Sequence, residues 1–126
     1  MFELSIKSDF ASAHFLKGYD GPCKDLHGHT WKVEVVAQSD QLNSVGLVVD
    51  FKEIKKQLKD FLMAIDHVNL NDLSYFQKVN PSTENLAKYI YDGFSKVGAI
   101  HESSLPLKIK RVTVWESDVA SVTYYE

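Results

Sequence analysis

Two stretches of alternating apolar and polar residues constrain the fold of this chain most. Phe2, Leu4 and Ile6 alternate with Glu3, Ser5 and Lys7, and Trp31, Val33, Val35 and Ala37 alternate with Lys32, Glu34 and Gln38. Side chains of an extended backbone point to opposite faces at every second residue, so both stretches read as strands with one buried and one wet face. The segment between them carries Gly18, Gly21, Pro22 and the single cysteine, Cys23. It is long for a hairpin, and long connections in small domains often carry function.

The period then changes. After a turn at Asn43-Ser44-Val45-Gly46, Asp50 is placed to cap a helix in which Phe51, Ile54, Leu58, Phe61, Leu62 and Ile65 recur at spacings of three and four. Lys52, Lys55, Lys56 and Lys59 fall on its other side, the usual wet face of such a helix. A second helix is expected from Asn80-Pro81-Ser82, with Ser82 as N-cap, Thr83 and Glu84 in the first turn, Leu86, Ile90 and Phe94 as its stripe, and Gly98 as its close. Leu107, Ile109 and Arg111 through Val114-Trp115, and then Val119 to Tyr125, read as two more strands around a turn at Asp118.

The order strand, strand, helix, helix, strand, strand describes an α+β fold with an antiparallel sheet and both helices on one face. The 126 residues fit a single domain, 1–126. Uncovered sheet edges in so small a domain predict a homo-oligomer. Fourteen Lys and Arg against seventeen Asp and Glu give a net charge of −3, which leaves no bulk positive field for a nucleic acid. One cysteine excludes an internal disulfide framework and a four-cysteine zinc site, and suits a reducing compartment. Met1 to Lys7 lacks a basic stretch leading into an apolar one, and no apolar run approaches the roughly 18–20 residues that span a bilayer. The expected location is the cytoplasm, without a membrane partner.

His27 and His29 are one residue apart at the entry to the second strand, so their imidazoles share a face if the strand has begun there. His14, just past the first strand, can be brought beside them by antiparallel pairing. Three neutral nitrogen donors suit Zn²⁺ with a fourth position open for water or substrate. The spacing alone leaves two other readings open, a chance pair on a wet strand and, less favoured because a one-cysteine, three-histidine set is not a common structural one, Cys23 as the fourth ligand of a closed site. Asp66-His67 reads either as a helix C-terminus with a favoured imidazolium or as a proton relay. Cys23, among Gly21, Pro22, Lys24 and Asp25, reads as exposed. His101 reads as a loop residue without a role.

In order along the chain, Phe10-Ala-Ser-Ala-His14, Cys23-Lys-Asp-Leu-His27-Gly-His29, Val49-Asp50-Phe51, Asp66-His67-Val-Asn-Leu70-Asn71, Pro81-Ser-Thr-Glu84-Asn85 and Trp115-Glu116-Ser117 resemble the motifs of the 6-pyruvoyl-tetrahydropterin synthase family. The Cys-x-x-Leu-His-Gly-His and Leu-Asn-Asp segments look closest to its bacterial and archaeal 6-carboxy-5,6,7,8-tetrahydropterin synthases of the queuosine (7-deazaguanine) pathway. The resemblance implies the tunnelling fold (T-fold), with trimers closing a barrel and two trimers stacking into a homohexamer. It implies zinc on His14, His27 and His29, and 7,8-dihydroneopterin triphosphate as substrate. It makes Cys23 the general base, with Asp66 orienting His67 in a triad assembled across a subunit interface. Glu116 becomes the pterin anchor, and Ser82, Thr83 and Glu84 line the pterin site. The implied reaction releases acetaldehyde and triphosphate to give 6-carboxy-5,6,7,8-tetrahydropterin. The alternatives are the pyruvoyl-tetrahydropterin (biopterin) branch and a non-catalytic pterin- or purine-binding oligomer on the same fold. Ser117-Asp118-Val119 departs from the threonine that follows the glutamate in many relatives.

Overall fold

The computed structural model describes residues 1–97, 100 and 105–126. Gly98 and His101 lie outside the described residues, and with them the expected helix close and the expected loop residue. A four-stranded antiparallel sheet in the order β1-β2-β3-β4 carries both helices. β1 (Phe2–His14) and β2 (His27–Ser39) pair over their full length, from Phe2 opposite Ser39 to His14 opposite His27. His14 is therefore the last residue of the first strand rather than a residue beyond it, because the alternation runs on through Phe10 and Ser12. β3 (Lys108–Ser117) and β4 (Ala120–Tyr124) complete the sheet around the Asp118-Val119 turn.

Between β2 and β3 the chain forms α1 (Phe51–Leu62) and α2 (Thr83–Phe94). Both expected caps are present. The Asp50 carboxylate accepts from the Lys52 amide and the Ser82 hydroxyl from the Asn85 amide, each satisfying a donor that the first turn leaves free. α1 lies over β1, and α2 over β3 and β4. Leu4, Ile6, Phe10, Trp31, Val33 and Val35 from the sheet close on Ile54, Leu58, Leu62, Leu86, Ile90 and Phe94 from the helices in one buried cluster. Phe51, read from its spacing as part of the stripe, is 56% exposed, since as the first helical residue it overhangs the core. Ile65 is buried but belongs to a 3-10 turn, Met63–Ile65, that follows the helix. Further 3-10 turns at Leu70–Asp72 and Ser74–Gln77 bridge to α2 and were not anticipated.

Candidate active site

The site is the end of the core. The buried side chains of β1 are even-numbered and those at the matching end of β2 odd-numbered, so His14 and the pair His27 and His29 continue the rows that hold Phe10 and Trp31. Directly opposed residues of an antiparallel pair share a face, which sets His14 against His27. Trp31, fully buried, closes the site from below. Its ring meets His14 and His29 edge-on at 4.8 and 5.0 Å, and its Nε1–H donates to the Ser12 carbonyl at 3.2 Å.

The imidazoles are oriented by backbone. His14 Nδ1 lies 2.7 Å from the Pro81 carbonyl and His27 Nδ1 2.7 Å from the Asp25 carbonyl. A carbonyl can only accept, so each Nδ1 carries the hydrogen and each Nε2 of the neutral ring presents a lone pair. His14 Nε2 and His27 Nε2 stand 3.0 Å apart. His29 Nε2 is buried without a hydrogen-bond partner, 3.2 Å from Glu116 Oε1. Burial holds His14 and His29 below the usual histidine range, keeping them in the neutral form that a metal needs.

Glu116 joins this group, and the sequence reading did not place it there. β3 pairs Trp115 with Ser121 and Ser117 with Ala120, so Glu116 is the unpaired residue of a bulge. Bulges re-aim a side chain, and this one brings Glu116 Oε1 to 3.5 Å from His14 Nε2 as well. Ligand atoms of His14, His27, His29 and Glu116 all lie within 4.8 Å of one another. Converging lone pairs, an orphaned buried nitrogen and a carboxylate fit a divalent cation such as Zn²⁺. Cys23 is not in this group, which removes the reading in which it closes a structural site as fourth ligand.

Cys23 sits half-buried in a 3-10 turn, Pro22–Lys24, less open than its neighbours suggested, and its carbonyl accepts from the Leu16 amide at 2.9 Å. Asp66 and His67, adjacent in sequence, do touch: His67 Nδ1 is 2.9 Å from Asp66 Oδ1. Adjacent side chains usually diverge, but His67 has φ of +56°, the left-handed region, and this turns its ring back onto Asp66. Asp66 is the C-cap of the 3-10 turn that continues α1, as the helix-terminus reading expected, and His67 follows it. The Ala11 amide, first, and then the imidazole hold the Asp66 carboxyl below its ordinary range. The His67 ring is 81% exposed, and no hydrogen bond joins it to Cys23 among the described residues. Ser82, Thr83 and Glu84 begin α2, which the Pro81 carbonyl ties to His14. Asn71, Asn80 and Ser12, whose side chains bond backbone around the site, had no assigned role; amides and hydroxyls of this kind carry no signal in spacing.

A sequence profile of the family described as 6-pyruvoyl tetrahydropterin synthase matches residues 3–126. A 6-carboxy-5,6,7,8-tetrahydropterin synthase of Haemophilus influenzae is 28% identical, with all of both chains covered. A dihydroneopterin monophosphate aldolase of Pyrococcus furiosus is 33% identical over 89% of this chain and 87% of its own. The solved 6-pyruvoyl tetrahydropterin synthase of Caenorhabditis elegans superposes with a TM-score of 0.86 at 23% identity, covering 99% of this chain and 95% of that one, so the fold is the T-fold of that enzyme. With its sheet order, its histidine cluster and nearly its whole length accounted for, the chain belongs to the 6-pyruvoyl tetrahydropterin synthase family.

Proposed function

We propose that this tetrahydropterin synthase is a zinc-dependent carbon–carbon lyase. It converts 7,8-dihydroneopterin triphosphate to 6-carboxy-5,6,7,8-tetrahydropterin with loss of acetaldehyde and triphosphate, in 7-deazaguanine (queuosine) biosynthesis in the cytoplasm. The observation that carries this reading is the convergence of the His14, His27 and His29 nitrogens beside Glu116, with the Asp66–His67 pair held on the neighbouring loop. The full-length Haemophilus influenzae relative bears the name of that activity.

His14, His27 and His29 would hold the ion through Nε2. Zinc supplies Lewis acidity, which makes hydroxyls and adjacent carbon-bound protons of a substrate easier to remove. Glu116 accepts two N–H bonds from the aminopyrimidinone edge of the pterin, a match for the two oxygens of a carboxylate. Ser82, Thr83 and Glu84 border the pterin at the start of α2. Cys23 removes and returns protons as thiolate, and His67, oriented and charged by Asp66, exchanges them with it. The exposed His67 ring and the separate Cys23 turn of one chain meet their counterparts on a neighbouring copy, within a homohexamer built as two stacked trimers.

Mass spectrometry of the products formed by zinc-loaded protein, with trapping of released aldehyde, tests the reading. Acetaldehyde with 6-carboxy-tetrahydropterin supports it. Pyruvoyl-tetrahydropterin without aldehyde moves the protein to the biopterin branch. Cleavage of dihydroneopterin monophosphate in preference to the triphosphate would favour the chemistry named for the Pyrococcus furiosus relative. No product from either would leave a pterin-binding oligomer.

A further inference from the structure

The outer edge of β1 is paired well past the end of the sheet, and side chains do the last of the pairing. At Ala11 the amide donates to Asp66 Oδ1 at 2.9 Å and the carbonyl accepts from the His67 amide. At Ala13 the amide donates to the Val68 carbonyl at 3.0 Å. At Phe15 the Asn71 side chain takes over, with Oδ1 accepting from the Phe15 amide at 2.9 Å and Nδ2 donating to its carbonyl at 3.0 Å. Lys17 repeats the pattern with Asn80, both bonds being 2.9 Å. The intervening Leu16 donates at 2.9 Å to the Cys23 carbonyl.

Beyond His14 the chain leaves β2, and its backbone groups need new partners. A primary amide offers one acceptor and a donor in the same planar arrangement as a peptide, so asparagine can stand in for a strand. Both asparagines are themselves anchored at their backbone carbonyls. Gln77 Nε2 donates to the Asn71 carbonyl at 2.8 Å, and Asn85 Nδ2 to the Asn80 carbonyl at 2.8 Å. Residues 15 and 17 are thus pinned on either side of Leu16, which fixes the direction of its N–H and so the place of the Cys23 turn.

We propose that Asn71 and Asn80 are positioning residues for Cys23. They fix where the chain presents the cysteine turn to a neighbouring copy, since Leu16, held between the two clips, donates to the Cys23 carbonyl. The inference rests on the proposed role of Cys23 in proton transfer. The two clips differ in burial: Asn71 is 5% exposed, whereas the Asn80 bonds lie at the surface.

Asn80→Ala in the zinc-loaded, full-length protein is the test, with Asn71→Ala beside it; should the buried Asn71 variant fail to fold, Asn80→Ala decides alone. Three quantities are read: zinc content, kcat and KM on the pterin triphosphate, and the rate of iodoacetamide alkylation of Cys23, the only cysteine. The expected result is retained zinc, KM within about twofold, kcat lower by about ten- to a hundredfold as for a displaced catalytic group, and an alkylation rate changed severalfold. Asn80→Asp keeps the bond from the Lys17 amide and opposes the Lys17 carbonyl, so its loss is intermediate. Unchanged kcat and alkylation rate would overturn the proposal, as would a kcat loss that only follows zinc loss. If the wild-type protein shows no turnover, the proposed function fails, and the alkylation rate alone decides whether the amides place Cys23.

Discussion

His29 Nε2 gains most from a cation, being buried and unpartnered, and its removal separates metal binding from folding. His29→Ala is expected to lose bound zinc and turnover together while keeping the helical circular dichroism of the wild type. Cys23→Ala should instead retain stoichiometric zinc by atomic absorption and lose about 10²–10⁴-fold in kcat, the usual worth of a positioned proton carrier. Buried His14 and half-buried His29 also fix how the metal-free protein responds to acid. Burial lowers their affinity for protons in the folded state, whereas in the unfolded chain they bind protons near the ordinary value of about 6.5. Stability from this source is present above that pH and is lost as the pH falls through it. Urea midpoints of the metal-free protein should therefore decline below about pH 6.5, and a flat profile down to pH 5 would contradict the neutral state of these rings.

Elements meet at Gly93, where a Cβ would stand 2.6 Å from the Phe61 ring, so α1 and α2 approach through the missing side chain. Gly93→Ala gains about 1 kcal/mol of helix propensity, but displacing a ring in a packed interface costs about 1–3 kcal/mol. Net destabilisation by urea titration is expected, and stabilisation would show that the ring moves freely. Ser82→Ala should cost about 1 kcal/mol as a lost cap, and should also weaken zinc binding, because the adjoining Pro81 carbonyl orients His14. Both helices and both caps were legible in the sequence, since capping and periodicity are local. The bulge at Glu116 was not, because one unpaired residue leaves alternation nearly intact on either side. Neither was the ladder along β1, whose partners stand 55 to 63 residues apart, as in Ala11 with Asp66 and Lys17 with Asn80. The three histidines of the candidate metal cluster were legible, His27 and His29 through the shared face of His-x-His and His14 through antiparallel pairing, whereas Glu116 as its fourth member was not.

At the scale of the whole molecule, β4 and the first part of β1 present strand edges that no strand pairs among the described residues. On the proposed division of Cys23 and His67 between copies, inactive Cys23→Ala and His67→Ala proteins should regain part of the wild-type activity when unfolded and refolded together. Failure of mixed refolding to restore turnover would place both groups within one chain. The pairing of His14 with His27 has a further consequence. A hairpin that zips one residue out of step turns His27 and His29 to the opposite face, so only the correctly registered chain can chelate. Uptake of a coloured ion such as Co²⁺ therefore audits strand alignment during refolding, reporting in visible light on an error that far-ultraviolet spectra would pass as native.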